Sequence, residues 1–208
     1  MTWAFSPRAA TRSLSEADAK LGALIERVGP FTLKPEAAPS TFEALARAIV
    51  YQQLSGKAAA TIFGRLVAAH PRGRLTPKGL LALSDETIRG AGISRPKLAS
   101  LRDLAQRDLG GEVPAPRALA TMAEDDIIET LTRIRGIGRW SVEMLLMFRL
   151  GRADVLPVTD LGIQKGFQRT FGGAMPTADK VLRRGERWRP YRTVASWYLW
   201  RALDAPAR

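Results

Sequence analysis

Apolar residues recur every three or four positions along this chain and no stretch alternates with period two, which predicts an all-α protein of about ten short helices without a repeat array. Ser13-x-x-Glu16 reads as a capping box that opens a helix, with Leu21, Leu24, Ile25 and Val28 on its inner face. Gly29-Pro30 stops that helix, and residues 1–12 read as a loose terminus. A second box, Ser40-x-x-Glu43, opens a helix that buries Phe42, Leu45 and Ile49 and runs into Tyr51-Gln52-Gln53-Leu54-Ser55-Gly56. The following helix turns Ile62, Phe63, Leu66 and Val67 inward and ends at His70-Pro71. Residues 31–39, with two prolines, and the stretch from Gly110-Gly111 to Pro114 and Pro116 read as breaks.

Two further patterns meet at a glycine turn. Ile127, Leu131 and Ile134 form one stripe, Val142, Leu145 and Leu146 the next, and Gly136-Ile137-Gly138 joins them. Both helices bury a face, so the turn projects outward. Gly136 and Gly138 allow positive φ and leave no Cβ in the way of an approaching anion. The second helix starts there with unpaired N–H groups and the positive end of its dipole. Arg133, Arg135 and Arg139 surround the turn and suit a polyanion. A plain αα-hairpin, whose glycines serve only the tight turn, fits the same residues. A similar Gly90-Ala91-Gly92 turn, followed by Leu98, Leu101 and Leu104, is either a second such hairpin or a tight connection.

Composition narrows the partners. The 208 residues hold 32 Lys and Arg against 20 Asp and Glu, a net charge of +12 spread along the chain. That balance suits a folded basic surface meeting nucleic acid. Cysteine is absent, which excludes disulfides, iron–sulfur clusters, thiolate zinc sites and cysteine nucleophiles. The single histidine, His70, sits at a helix end and argues against a histidine metal site or triad. The N-terminus has no signal-like apolar run and nothing is long enough to span a bilayer, so a soluble, cytoplasmic protein is expected.

After the hairpin, Pro157-Val158-Thr159-Asp160 leads into Leu161 to Phe171, and Asp160 falls at a predicted helix start. Taken alone, Asp160 reads as an ordinary N-cap. The hairpin Leu131-x-x-Ile134-x-Gly136-Ile137-Gly138-x-Trp140, followed 22 residues after Gly138 by Asp160, resembles the helix-hairpin-helix–Gly/Pro–Asp superfamily of DNA glycosylases. Gln53-Leu54, Gly138-Arg139-Trp140, Asp160-Leu-Gly-Ile-Gln-Lys and Trp188-Arg-Pro-Tyr-Arg together are similar to its alkylation-repair branch, the DNA-3-methyladenine glycosylase II enzymes. The resemblance runs from about Ser40 to Ala202.

The resemblance implies one all-α glycosylase domain of two helical lobes with an active-site cleft between them. One lobe is expected at about 40–150, including the hairpin at 122–149, and the other at about 13–39 plus 155–208. It implies a monofunctional enzyme that flips alkylated purines, of the 3-methyladenine and 7-methylguanine type, out of double-stranded DNA and hydrolyses the glycosidic bond. Such a reaction needs an anion beside a cationic sugar and a pocket for the base. By resemblance, Asp160 is that anion, and Trp140 and Trp200 line the pocket, with Tyr198 and Trp197 as weaker candidates. Leu54 is the wedge, Gln53 faces the orphaned base, and Gly136, Ile137, Gly138 and Arg139 hold the DNA backbone. Core packing is the competing role for the aromatics, and at least one of the four belongs there.

No organic cofactor is implied, and a Na or K ion on the hairpin carbonyls is expected from the family. Strand-cleaving relatives carry a lysine where Trp140 stands, so no lyase activity is expected. Thr159 stands where some relatives have a further acid, and the extra N-terminal β domain of others is not part of these 208 residues. A monomer is expected. Two other readings fit: a glycosylase for uracil or a deaminated purine, and a non-catalytic hairpin module that grips DNA.

Overall fold

The computed structural model describes residues 3–36, 38–70 and 73–204. Among them are thirteen α-helices and no strand. The chain divides into two compact units, one of Met1–Glu36 with Leu146–Arg208 and the other of Ala37–Leu145.

The first unit opens with α1 (Pro7–Ala17), α2 (Ala19–Val28) and, after the second unit, α11 (Leu161–Phe171), α12 (Ala178–Gly185), a 3-10 turn at Glu186–Trp188 and α13 (Arg192–Asp204). The expected capping box at Ser13 is not a helix start: α1 begins at Pro7, with Ser6 Oγ accepting the Ala9 N–H. Proline at the first helical position needs no hydrogen-bond acceptor and is pre-set in φ, which makes Ser6-Pro7 the stronger signal. Asp18 then caps α2 through Leu21 N–H. The loose terminus is therefore helical from Pro7 onward, and its first two residues lie outside those described.

Asp18 also organises the core of this unit. Its side chain is 1% exposed, and it accepts a two-pronged pair from Arg184 Nε and Nη2 at 2.7 and 2.8 Å and the indole N–H of Trp188 at 3.2 Å. Leu14, Leu21, Leu24, Ile163, Phe167, Trp188, Tyr198 and Leu199 fill the surrounding core. On α11, Gly166 faces the backbone of Leu199 on α13 so closely that a Cβ would overlap its carbonyl.

The second unit contains α3 (Thr41–Tyr51), α4 (Gly56–Ala68), α5 (Pro77–Ala82), α6 (Asp85–Gly90), α7 (Arg95–Leu109), α8 (Pro116–Thr121), α9 (Glu124–Thr132) and most of α10 (Arg139–Phe148). Ser40 caps α3 as its sequence suggests, with Oγ accepting Glu43 N–H at 3.1 Å. The break expected around Pro116 instead contains α8, again with proline in the first turn. His70 does sit at a helix end: its Nδ1 lies 3.0 Å from the Leu66 carbonyl of α4. Pro71, the expected stop, lies outside the described residues. Gly92 has φ +103 and Ile93 is buried, so the Gly90–Gly92 segment joins α6 and α7 as a tight helical connection. No helix among those described is long and apolar enough to cross a membrane.

Two stability outcomes follow. Gly166→Ala should destabilise by about 3 kcal/mol or more, because the clash is with backbone, whereas Gly56→Ala, whose Cβ would meet nothing within 4 Å, should stay within about 0.5 kcal/mol. Urea unfolding of both variants checks this. Burial by itself would raise the Asp18 carboxyl, but the Arg184 guanidinium and Trp188 N–H outweigh it and hold it below the usual aspartate range. Its stabilisation is therefore present above pH ~4 and is lost as pH falls through the depressed folded value. Asp18→Asn should cost about 3 kcal/mol near neutrality and flatten the loss of stability below pH ~4, measured by denaturation across pH.

Candidate functional site

In the first unit, Asp160 caps α11. Its Oδ1 accepts the Ile163 N–H at 2.8 Å and the Trp200 indole N–H at 2.9 Å. Both donors and the N-terminal end of α11 converge on this oxygen. The two donors come together because α11 and α13 approach closely. Gly162 lies directly under this pair: a Cβ there would meet Trp200 Cδ1 at 2.8 Å and Asp160 Oδ1 at 2.9 Å. Gly162 stands inside the Asp160-Leu-Gly-Ile-Gln-Lys motif, where no local signal reveals this contact.

The segment leading to Asp160 is held by α13. Thr193 Oγ1 donates to the Arg152 carbonyl at 2.6 Å and accepts Val155 N–H at 3.1 Å, while Thr193 N–H donates to the Ala153 carbonyl. Ser196 Oγ lies 3.3 Å from the Val155 carbonyl. Arg192 forks onto Asp154, with Nε on Oδ1 at 2.8 Å and Nη2 on Oδ2 at 3.0 Å. Arg189 Nη1 donates to the same carboxylate at 2.5 Å. Thus Trp188-Arg-Pro-Tyr-Arg serves this unit as scaffold, with its tryptophan buried and both arginines fixing the 152–155 segment.

The aromatic candidates separate. Trp200 is half-buried, stacks on Phe148 at 5.9 Å and 22°, and directs its N–H at Asp160. Tyr198 is fully buried, and its hydroxyl donates to the Gly29 carbonyl at 2.9 Å. Burial pushes that phenol up to about 12. Tyr198 is therefore a core residue and not a pocket wall, because no face of its ring reaches solvent. Trp197 packs edge-on against Phe31 and Tyr198 and likewise belongs to the core. Trp140 lies in the first turn of α10 and is 43% exposed, as a stacking surface requires.

The second unit carries the hairpin. Gly136 has φ +77 and fits so tightly against α7 that a Cβ would strike Ser100 Oγ. Gly138, expected to need the same conformation, is not among the glycines with positive φ, and its surroundings leave room for a Cβ. Its carbonyl accepts the Ser141 and Val142 N–H groups, so it begins α10. Ile137 is buried and its N–H donates to the Ile134 carbonyl at 3.0 Å, so it anchors the turn from within. The arginines are partly committed: Arg133 pairs with Glu129 at 2.6 Å and Arg139 with Glu143 at 3.2 Å, both along their own helices.

The loop after α3 presents Gln53 and Leu54 outward. Leu54 is 40% exposed. Gln53, at φ 58, is the one non-glycine with positive φ among the described residues. Two neighbours not recognised in the sequence fix this loop. Gln52 Nε2 donates to the Gly136 carbonyl at 2.9 Å, and Lys97 Nζ donates to the Val50 and Gln52 carbonyls, each at 2.8 Å. Their partners lie 45 to 84 residues away, beyond any local signal.

Comparison with known proteins gives the same set of features a lineage. Residues 46–190 match the family model of the HhH-GPD superfamily base excision DNA repair proteins. DNA-3-methyladenine glycosylase 1 of Schizosaccharomyces pombe is 40% identical over 162 residues, covering 77% of this chain and 71% of that one. The alkylbase DNA glycosidase-like protein mag2 of the same organism is 32% identical, with 92% and 91% covered. The solved structure of the S. pombe 3-methyladenine DNA glycosylase Mag1 in complex with abasic DNA superposes with a TM-score of 0.84 at 36% identity, covering 93% of this chain and 95% of that one. A hairpin pinned at Gly136, an exposed loop leucine and a helix-capping aspartate accompany a family match over most of the sequence, and the chain belongs to the HhH-GPD superfamily of base excision DNA repair proteins.

Proposed function

We propose that this protein is a monofunctional DNA glycosylase that removes alkylated purines of the 3-methyladenine and 7-methylguanine type from double-stranded DNA. Kinship with the 3-methyladenine glycosylases supports the reaction class. The observation that carries the mechanism is the Asp160 carboxylate, held at a helix N-terminus by the Ile163 and Trp200 N–H groups.

An alkylated purine is already cationic, so its glycosidic bond breaks with the electron pair returning to the base, and no general acid is needed. Positive charge then develops on the sugar. Asp160 stabilises that charge, and water adds at the anomeric carbon and gives up a proton to solvent, leaving an abasic site. The fixed position of the carboxylate means little reorganisation accompanies the step. Trp140 offers an exposed indole face on which an electron-poor base would stack. Leu54, on its constrained loop, would fill the space the flipped nucleotide vacates, with Gln53 beside the orphaned base. Where strand-cleaving relatives have an amine, Trp140 has none, which supports hydrolysis without a lyase step.

The α10 N-terminus and Gly138 would receive a DNA phosphate, with Arg139 adding charge. Turn carbonyls that accept one N–H keep a second lone pair, so those of Ile134 and Gly136 would hold a monovalent cation, which would supply further positive charge for DNA binding. We read the protein as a cytoplasmic monomer, acting where chromosomal DNA is found.

Chromatography of bases released from methylated duplex DNA tests the central residue. Wild type should release 3-methyladenine or 7-methylguanine, and Asp160→Asn should lose about 100- to 1000-fold in rate. Release by neither protein, with uracil or hypoxanthine excised from suitable duplexes, would transfer the activity to another lesion. Separately, if the hairpin engages about 4–6 phosphates, log K for duplex binding should fall with log salt at a slope of about −4 to −5. A slope near zero would remove the hairpin from the DNA interface.

A further inference from the structure

In a chain of net charge +12, a lysine in the first turn of a helix is a candidate phosphate contact. Lys97 is spent otherwise. Two of its three ammonium donors go to the carbonyls of Val50 and Gln52, where α3 ends and intrahelical partners run out. It thereby caps α3 from another helix and matches the negative end of that dipole. Burial pushes its pKa below the usual lysine value, as expected for an ammonium withdrawn from water.

The same face of α7 continues toward the hairpin. Three residues on, Ser100 sits against Gly136, and after three more, Asp103 Oδ2 accepts the Arg135 N–H at 2.8 Å. Positions 97, 100 and 103 lie on one stripe of the helix, over about 9 Å. Gln52 completes the circuit by donating to the Gly136 carbonyl at 2.9 Å, with Ser141 Oγ at 3.4 Å. The loop, α7 and the hairpin turn are thus tied pairwise within one unit. Between these anchors Gln53 holds φ 58, a strained conformation for a non-glycine residue that persists only where its neighbours are fixed.

We infer that Lys97 and Gln52 are positioning residues for base flipping: they preset the Gln53-Leu54 wedge relative to the hairpin, and the Lys97 charge belongs to this brace and not to the phosphate footprint. The inference rests on the reading of Leu54 as the wedge. A duplex holding a stable abasic-site analogue needs the wedge, whereas an undamaged duplex engages only the phosphate grip.

Binding of both duplexes across a salt series, measured by fluorescence anisotropy, tests the brace with Lys97→Met, Leu54→Ala and the double variant. Lys97→Met should weaken abasic-duplex binding about tenfold, change undamaged-duplex binding by less than about twofold, and leave the salt slope unaltered. The double variant should bind abasic duplex no more weakly than the weaker single variant, because a misplaced wedge has nothing left to lose. Gln52→Ala, which opens the brace at its other end, should show the same dependence on Leu54 and serves if Lys97→Met fails to fold. A salt slope smaller by about one unit, with both duplexes weakened equally, would make Lys97 a phosphate contact and overturn the inference. Multiplying effects in the double variant would overturn it as well. No effect of Leu54→Ala on abasic duplex would overturn the wedge reading itself, an outcome distinct from the other two.

Discussion

The close approach of α13 to α11 decides the chemistry this chain presents. Gly162 and Gly166 lie one turn apart on the same helix face, and each is opposed by atoms that would overlap a Cβ: Trp200 and Asp160 at the first, the Leu199 backbone at the second. Only glycine lets the helices sit at this distance, and only at this distance does the Trp200 indole N–H reach the Asp160 carboxylate. The rest of α13 serves the same end, since Arg192, Thr193 and Ser196 hold the segment that leads into Asp160. A carboxylate held by these two donors needs little rearrangement, which suits the role proposed for Asp160.

The large positive charge has two uses in this molecule. Several cations satisfy acceptors that folding would otherwise leave without a protein partner. Arg184 neutralises Asp18, Arg192 neutralises Asp154, and Arg102 donates to the Leu80, Leu81 and Leu83 carbonyls at the end of α5. Lys97 does the same for α3. The net charge favours a polyanionic partner. Cations whose donors are already spent inside their own unit have fewer left to offer such a partner.

The all-α class was written in the period of apolar residues, and most helices follow from it because a stripe of Leu, Ile and Phe has one way to leave water. The hairpin and Asp160 were legible for a local reason: a glycine turn, a helix start and an N-cap are set by residues within a few positions of one another. Where local rules competed, the sequence misled. Ser13-x-x-Glu16 has the form of a cap, yet Ser6-Pro7 starts α1 and the box falls inside it. Gly138 looked equivalent to Gly136, but only Gly136 has both positive φ and a neighbour that forbids a Cβ.

What the sequence by itself determined, then, is the all-α class with most but not all of its helices, the excess of basic residues, and the chemical types at the turn and the carboxylate. Tertiary structure alone decided which aromatic does what. Tyr198 and Trp200 are two residues apart on one helix, about 200° around its axis, so one enters the core while the other reaches Asp160. It also decided that Lys97 braces a loop and that Gln52 joins that loop to the hairpin. These roles depend on contacts between residues 40 or more positions apart, and a side chain's donors are assigned only once packing has chosen which distant carbonyl lies within about 3 Å.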